Sequence, residues 1–159
     1  MKKTQAMRAL DARGIEYRAV EYDASGEFHT GEAAAALVGA DAEAVFKTLV
    51  VLRDGDPRAK PLLVMVPVAS QVDLKLLASG VGAKRLRMAT QKEAERLTGM
   101  QVGGISALGV ERPERFEVLI DESAGRLERV HVSAGARGMD LELAVADLLR
   151  VTGARWVRC

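Results

Sequence analysis

Lys47 stands at the head of an apolar run, Val45-Phe46-Lys47-Thr48-Leu49-Val50-Val51-Leu52. In a strand, side chains alternate between faces. Lys47 then shares one face with Leu49 and Val51, and the other carries Phe46, Thr48, Val50 and Leu52. Both faces read as buried, which puts the ammonium at the rim of a core. An unpaired buried charge is expensive, so this lysine calls for an acidic partner or an anionic ligand, unless its stem snorkels to solvent.

Three more segments could carry chemistry. The run Gly103-Gly104-Ile105-Ser106-Ala107-Leu108-Gly109 contains glycines that let a ligand approach the main chain closely. Its amides could hold a carboxylate, a phosphate or a developing oxyanion. It matches neither a Walker loop nor a dinucleotide fingerprint, and an ordinary multi-glycine turn is the plainer alternative. The run His131-Val132-Ser133-Ala134-Gly135-Ala136-Arg137-Gly138-Met139-Asp140 reads as a junction between a strand and a helix. There Asp140 is either an N-cap or a ligand-binding carboxylate, Ser133 can satisfy loop amides, and Arg137 binds phosphate or is simply solvated. Tyr22 reads as a half-buried packing residue with a wet hydroxyl.

Conventional catalytic groups are sparse. Cys159 is terminal, and His29 and His131 are isolated. Ser133 and His131 share a strand face without any necessary hydrogen bond, so a Ser-His-Asp triad is not expected. No set of Cys, His and carboxylates has metal-ligand spacing, and neither metal nor cofactor is expected.

The elements that must position these residues follow from periodicity and punctuation. Residues 4–13 predict an amphipathic helix ending before Gly14, and residues 15–22 alternate as a half-exposed strand. A polar loop over 23–30 precedes an alanine-rich helix over 32–38. Strands over 46–52 and 62–66, separated by Arg53-Asp54-Gly55-Asp56-Pro57, read as antiparallel neighbours. A short helix over 73–78 should end at Gly80 and Gly82. A strand over 85–88 leads to Thr90, which with Glu93 predicts a capping box for a helix over 91–97. Strands near 117–121 and 129–133, a helix over 141–149 and a closing strand over 155–157 complete the reading. Interleaved strands and helices with a hairpin predict an α/β fold with a mixed sheet wrapped by helices.

The 159 residues, 48% hydrophobic, fit one domain over 1–159. With aromatics at only 4%, Val, Leu, Ala and Met must fill the core. The 23 basic and 22 acidic residues nearly cancel, which argues against nonspecific nucleic-acid binding through bulk charge, and DNA is not an expected partner. RNA contact would need a local patch, for which Lys84, Arg85, Arg87, Lys92 and Arg96 are candidates, with an ordinary solvated basic surface as the plainer alternative. A lone cysteine, the lack of an apolar signal region and the lack of a membrane-length apolar stretch predict a soluble, cytoplasmic chain.

Together these segments resemble the YbaK/EbsC family. The resemblance rests on Val45 to Leu49, Pro67 to Lys75, Gly82-Ala83-Lys84, Thr98-Gly99 to Gly109, and Val132 to Glu142, in that order along nearly the whole chain. It implies a mixed, mostly antiparallel, barrel-like sheet surrounded by helices. The family contains trans-editing aminoacyl-tRNA deacylases, especially for cysteinyl-tRNA(Pro), and is related to the insertion domain of bacterial prolyl-tRNA synthetases. The resemblance therefore implies mischarged tRNA(Pro) as substrate and prolyl-tRNA synthetase as partner. It makes Lys47, Gly103 and Asp140 the expected catalytic residues. The expected substrate-binding set is Tyr22, Thr48, Gly104, Ile105, Ser106, Ser133, Gly135 and Arg137. It also implies a mechanism without a protein nucleophile, in which the substrate thiol attacks its own ester. A deacylase for alanyl-tRNA(Pro) or another small misacylated tRNA, and a noncatalytic synthetase- or tRNA-binding module, remain open. Two departures stand out: Ala107 follows Ser106 where relatives often have proline, and Phe28, His29 and Thr30 occupy a stretch where a phenylalanine-glycine pair is common.

Overall fold

The computed structural model describes residues 2–23 and 31–159. In chain order these form α1 (Gln5–Ala12), β1 (Arg18–Glu21), α2 (Gly31–Val38), β2 (Phe46–Arg53), β3 (Leu62–Pro67), α3 (Leu74–Val81) and β4 (Leu86–Met88). There follow α4 (Gln91–Thr98), β5 (Glu117–Asp121), β6 (Arg129–Ser133), β7 (Met139–Ala144), α5 (Val145–Thr152) and β8 (Arg155–Val157). Phe28, His29 and Thr30 lie outside the described residues.

Local capping chemistry sets the helix starts. The Thr4 hydroxyl accepts from the Met7 N–H at 3.3 Å, and the Asp73 carboxylate from the Leu76 N–H at 3.1 Å. At α4 the expected capping box is complete: Thr90 Oγ1 accepts from Glu93 N–H at 3.1 Å, and Glu93 accepts from Thr90 N–H at 2.9 Å. Each such cap contributes about 1 kcal/mol by satisfying amides that the helix itself cannot.

The strands form two sheets. One has the order β4-β2-β3-β5-β8, and the other β1-β7-β6. β2 pairs antiparallel with β3, as its turn signal predicts, while β3–β5 and β5–β8 are parallel. β3 is buried at all six positions and forms the middle of the larger sheet. Its side chains alternate between two apolar clusters: Leu63 and Met65 join Phe46, Val50 and Ile105, whereas Leu62, Val64 and Val66 join Val51 and Leu77. Burial of a side chain of this size contributes roughly 1.5–3 kcal/mol. A third cluster, of Ala35, Val38 and Val45, sits under α2. The sheet is thus mixed and helix-covered, as expected, but among the described residues it does not close into a barrel. The two sheets meet through an isolated parallel bridge between Val45 and His131.

Three expectations change. Residues 139–144 are a strand and the last helix starts only at Val145, so 134–138 is the turn of a β-hairpin and Asp140 caps no helix. The stretch Asp140-Leu141-Glu142-Leu143 alternates polar and apolar, and Leu141 and Leu143 are wholly buried. That period of two, set by pairing with β6, overrides the helix propensity of the segment. Gly80 lies inside α3 rather than ending it. A side chain there would come within 3.1 Å of Val157, so glycine lets α3 pack against β8. β1 is also shorter than 15–22, because Ile15 closes the end of α1, its N–H bonding the Leu10 carbonyl at 3.0 Å.

Candidate active site

β2 is where the two sheets diverge. On its inner edge it pairs with β3 over residues 46–51. On its outer edge, the only backbone bridge to β6 among the described residues is at Val45, just before β2 begins, and β4 pairs only from Val51 onward. The last β4-side bond runs from Ala89 N–H to the Val50 carbonyl at 2.9 Å. Between these points no described strand occupies the outer edge of β2, and a cavity of about 380 Å³ fills the gap. Because it wraps around a strand edge, residues from both faces of β2 line it: Phe46, Thr48 and Val50 from one face, Lys47 and Leu49 from the other. Its walls come from all three apolar clusters, with Ile105 and Ala94, Leu49, and Val38 and Val68 among them.

Seven of the predicted site residues line this cavity: Tyr22, Lys47, Thr48, Gly103, Ile105, Ser133 and Asp140. Segments far apart in sequence converge through pairing. Ser133 and Asp140 are cross-strand partners in the β6–β7 hairpin, and β1 on the other side of β7 leads directly into Tyr22. The remaining four, Gly104, Ser106, Gly135 and Arg137, do not line the cavity but hold its wall in place. The Ser133 hydroxyl donates to the Gly104 carbonyl at 2.8 Å and accepts from the Gly135 N–H at 3.1 Å. Ser106 is buried and accepts from the Leu108 N–H at 3.1 Å. A Cβ on Gly104 would lie 2.7 Å from backbone atoms of Ala136 and Arg137, so the glycine loop and the hairpin touch main chain to main chain. Gly103 has φ of +97°, a conformation that a side chain would strain, and the Arg137 side chain packs over it.

Two opposite charges share an otherwise largely apolar cavity. Lys47 is half-buried, and burial lowers the pKa of its ammonium. Asp140 is only 7% exposed, and burial pushes its carboxyl up to about 6. Burial likewise raises the Tyr22 phenol, with the nearby Asp140 charge adding to the shift. No described residue pairs with either the Lys47 ammonium or the Asp140 carboxylate, and the two do not bridge to each other. Desolvating both without pairing them costs free energy that a ligand carrying complementary charges can recover.

His131 contributes elsewhere: its Nε2 lies 3.2 Å from Glu142, and burial lowers its pKa. The Ser133 hydroxyl is committed to a carbonyl, so neither member of the conceivable pair acts on the other. Of the candidate basic patch, Arg87 is engaged by Glu93 in two bonds of 2.8 and 2.9 Å. Sequence reasoning missed Met88, Ala89, Gln91, Ala94 and Val102, which also line the cavity. The signal was available in part, since the capping box at Thr90 fixes where the chain must turn after β4. Among the described residues no helix is long and apolar enough to cross a membrane.

The whole-chain comparisons agree with this geometry. A candidate Cys-tRNA(Pro)/Cys-tRNA(Cys) deacylase of Enterococcus faecalis, EbsC, is 32% identical over 155 residues, spanning 98% of this chain and 92% of that protein. A multifunctional Ser/Thr-tRNA deacylase of Escherichia coli, ProXp-y, is 28% identical over 142 residues, 89% of this chain and 83% of the relative. A crystal structure of a candidate trans-editing enzyme for prolyl-tRNA synthetase superposes with a TM-score of 0.81 at 28% identity, covering 99% of this chain and 98% of the other. The model of the aminoacyl-tRNA editing domain matches residues 26–151, which include every cavity-lining residue after Tyr22. With a family match over most of its length and the edge-of-strand cavity inside it, this chain belongs to the aminoacyl-tRNA editing domain family.

Proposed function

We propose that the chain is a trans-editing deacylase that removes cysteine from mischarged cysteinyl-tRNA(Pro), with prolyl-tRNA synthetase as its partner. The observation that carries this reading is the unpaired Lys47–Asp140 couple in a small, largely apolar cavity. An aminoacyl ester offers an ammonium for Asp140 and, as its ester breaks, a ribose oxygen carrying negative charge for Lys47. The Gly103 main chain is placed to orient the ester carbonyl, and Tyr22, Thr48, Ile105 and Ser133 enclose the side chain.

No side chain among the described cavity residues is an activated nucleophile, and in this reading none is needed. The substrate thiol attacks its own carbonyl carbon, forming a carbon–sulfur bond as the bond to the ribose oxygen breaks. The thiol proton ends on that oxygen, and the products are a cyclic thiolactone and free tRNA. Holding thiol and carbonyl in attack geometry can contribute as much as about 7–11 kcal/mol in the best intramolecular cases. A cavity of mainly apolar walls also favours a thiol over the hydroxyl of serine, which would lose its hydrogen bonds to water on entry.

The test is a panel of tRNA(Pro) charged with cysteine, S-methylcysteine, alanine or serine. Cysteine should be released, and the S-methyl form should turn over at least 100-fold more slowly. Release of alanine or serine but not cysteine would replace this reading with deacylation by water. The similarity to a Ser/Thr-tRNA deacylase makes that the second reading. Partnership with the synthetase predicts its capture on immobilised protein in the presence of tRNA. Capture without any turnover would favour a noncatalytic module.

A further inference from the structure

Four large apolar side chains are notably exposed among the described residues: Leu76, Met88, Val102 and Trp156. Two of them, Met88 at 38% and Val102 at 45%, line the same cavity from different elements. Gln91, exposed and also lining it, lies between them in sequence and has no hydrogen-bond partner for its side-chain amide among the described residues. Exposed apolar groups at a mouth, with a free amide beside them, suit a flat, partly apolar ligand group that carries a donor and an acceptor on its edge.

All three residues are held against α4, Met88 from the end of β4, Gln91 from the helix itself and Val102 from the loop that follows it. Met88 is followed by the Thr90 capping box, and the preceding Arg87 is clamped by Glu93 of α4. Gln91 is the first residue of that helix. The Val102 N–H donates to Glu95 of the same helix at 2.8 Å, which pins the start of the glycine loop. The backbone of the rim is therefore fixed before any ligand arrives, and ordering on binding is confined to the exposed Met88 and Gln91 side chains.

We propose that Met88, Gln91 and Val102 form a nucleobase site that holds the adenine of the RNA 3′ end, while the aminoacyl group enters the cavity beside Lys47. This rests on the deacylase reading and adds the feature by which the leaving group is recognised. The terminal base of every tRNA is adenine, whose N6 donor and N7 acceptor match a glutamine amide in two bonds. Unstacked bases of RNA ends are commonly read on such edges while their faces pack on protein side chains. The arrangement makes the rim a positioning device: it fixes the ribose so that the ester falls next to Lys47 and Gly103.

The test compares 3′-O-cysteinyl-adenosine, 3′-O-cysteinyl-uridine and cysteine ethyl ester as minimal substrates. The wild-type protein should prefer the adenosine ester over the uridine ester by at least tenfold in kcat/KM. Gln91→Ala and Met88→Ser should each lower the ratio of adenosine-ester to ethyl-ester kcat/KM by about tenfold. Absence of a base preference, or an unchanged ratio in both variants, would overturn the proposal. A second readout does not depend on turnover: titration of isotope-labelled protein with adenosine monophosphate should shift the Gln91 side-chain amide and the Val102 N–H saturably, and uridine monophosphate should not. If no cysteinyl ester is cleaved, the deacylase reading fails, and the titration alone decides the base site. If esters are cleaved and the titration is silent at both positions, only the base site fails.

Discussion

Lys47 and Asp140 sit in the same cavity without neutralising each other, and this has opposite consequences for stability and for activity. The folded carboxyl of Asp140 titrates at about 6, above its ordinary value of 3.8. A raised acid pKa means that the fold favours the protonated form. That contribution is fully present below about pH 3.8 and is lost as pH rises through about 6. Asp140→Asn should therefore stabilise the protein at pH 7, by an amount on the order of 1–3 kcal/mol, and gain nothing at pH 3.5; thermal melts at both pH values would show it. The same substitution should weaken deacylation and remove an acid limb near pH 6 from the rate profile of the wild type, because only the ionised carboxylate holds an ammonium. Lys47→Ala should lower kcat at least 100-fold with the melting temperature nearly kept, a size typical for loss of one group that stabilises developing charge. An unaffected rate would remove Lys47 from the mechanism.

At the scale of elements, the glycine loop and the β6–β7 hairpin work as one wall. Gly104→Ala puts a Cβ where backbone atoms of Ala136 and Arg137 already lie at 2.7 Å, and neither segment can yield by turning a side chain. A loss of about 1–3 kcal/mol in denaturant unfolding is expected, together with lower activity, since the wall carries both Gly103 and Ser133. Thr90→Ala should cost about 1 kcal/mol by undoing the cap of α4. What the sequence revealed at this level follows the range of the forces involved. Caps and turns act over three or four residues, so Thr90 with Glu93, Asp73 and the β2–β3 turn were legible. Asp140 was assigned to a helix because Leu141 to Leu149 is rich in helix formers, whereas the strand that forms there depends on β1 and β6, more than 100 residues away on one side and a few on the other. Met88 and Val102 escaped notice because an exposed apolar side chain has no sequence signature until a cavity is seen beneath it.

For the molecule as a whole, the formal charge of +1 leaves recognition of an RNA to local features rather than to bulk attraction. Hydrogen exchange should grade the fold accordingly: β3, buried along its length in the larger sheet, should exchange most slowly, and the edge strands β1 and β8 fastest. A hydrolysis-resistant cysteinyl-adenosine amide should slow exchange at β2 more than at β5. The reverse order would place the ligand elsewhere.

Because the only backbone bridge between the two sheets among the described residues is the rung beside Val45, the width of the opening along β2 is governed by how their shared core side chains let them lean on each other. Changes of a single methyl group in that core can widen or narrow the aperture without altering one reactive group. A scaffold of this kind can move from one misattached amino acid to another by adjusting its tilt, with its charged pair left as it was.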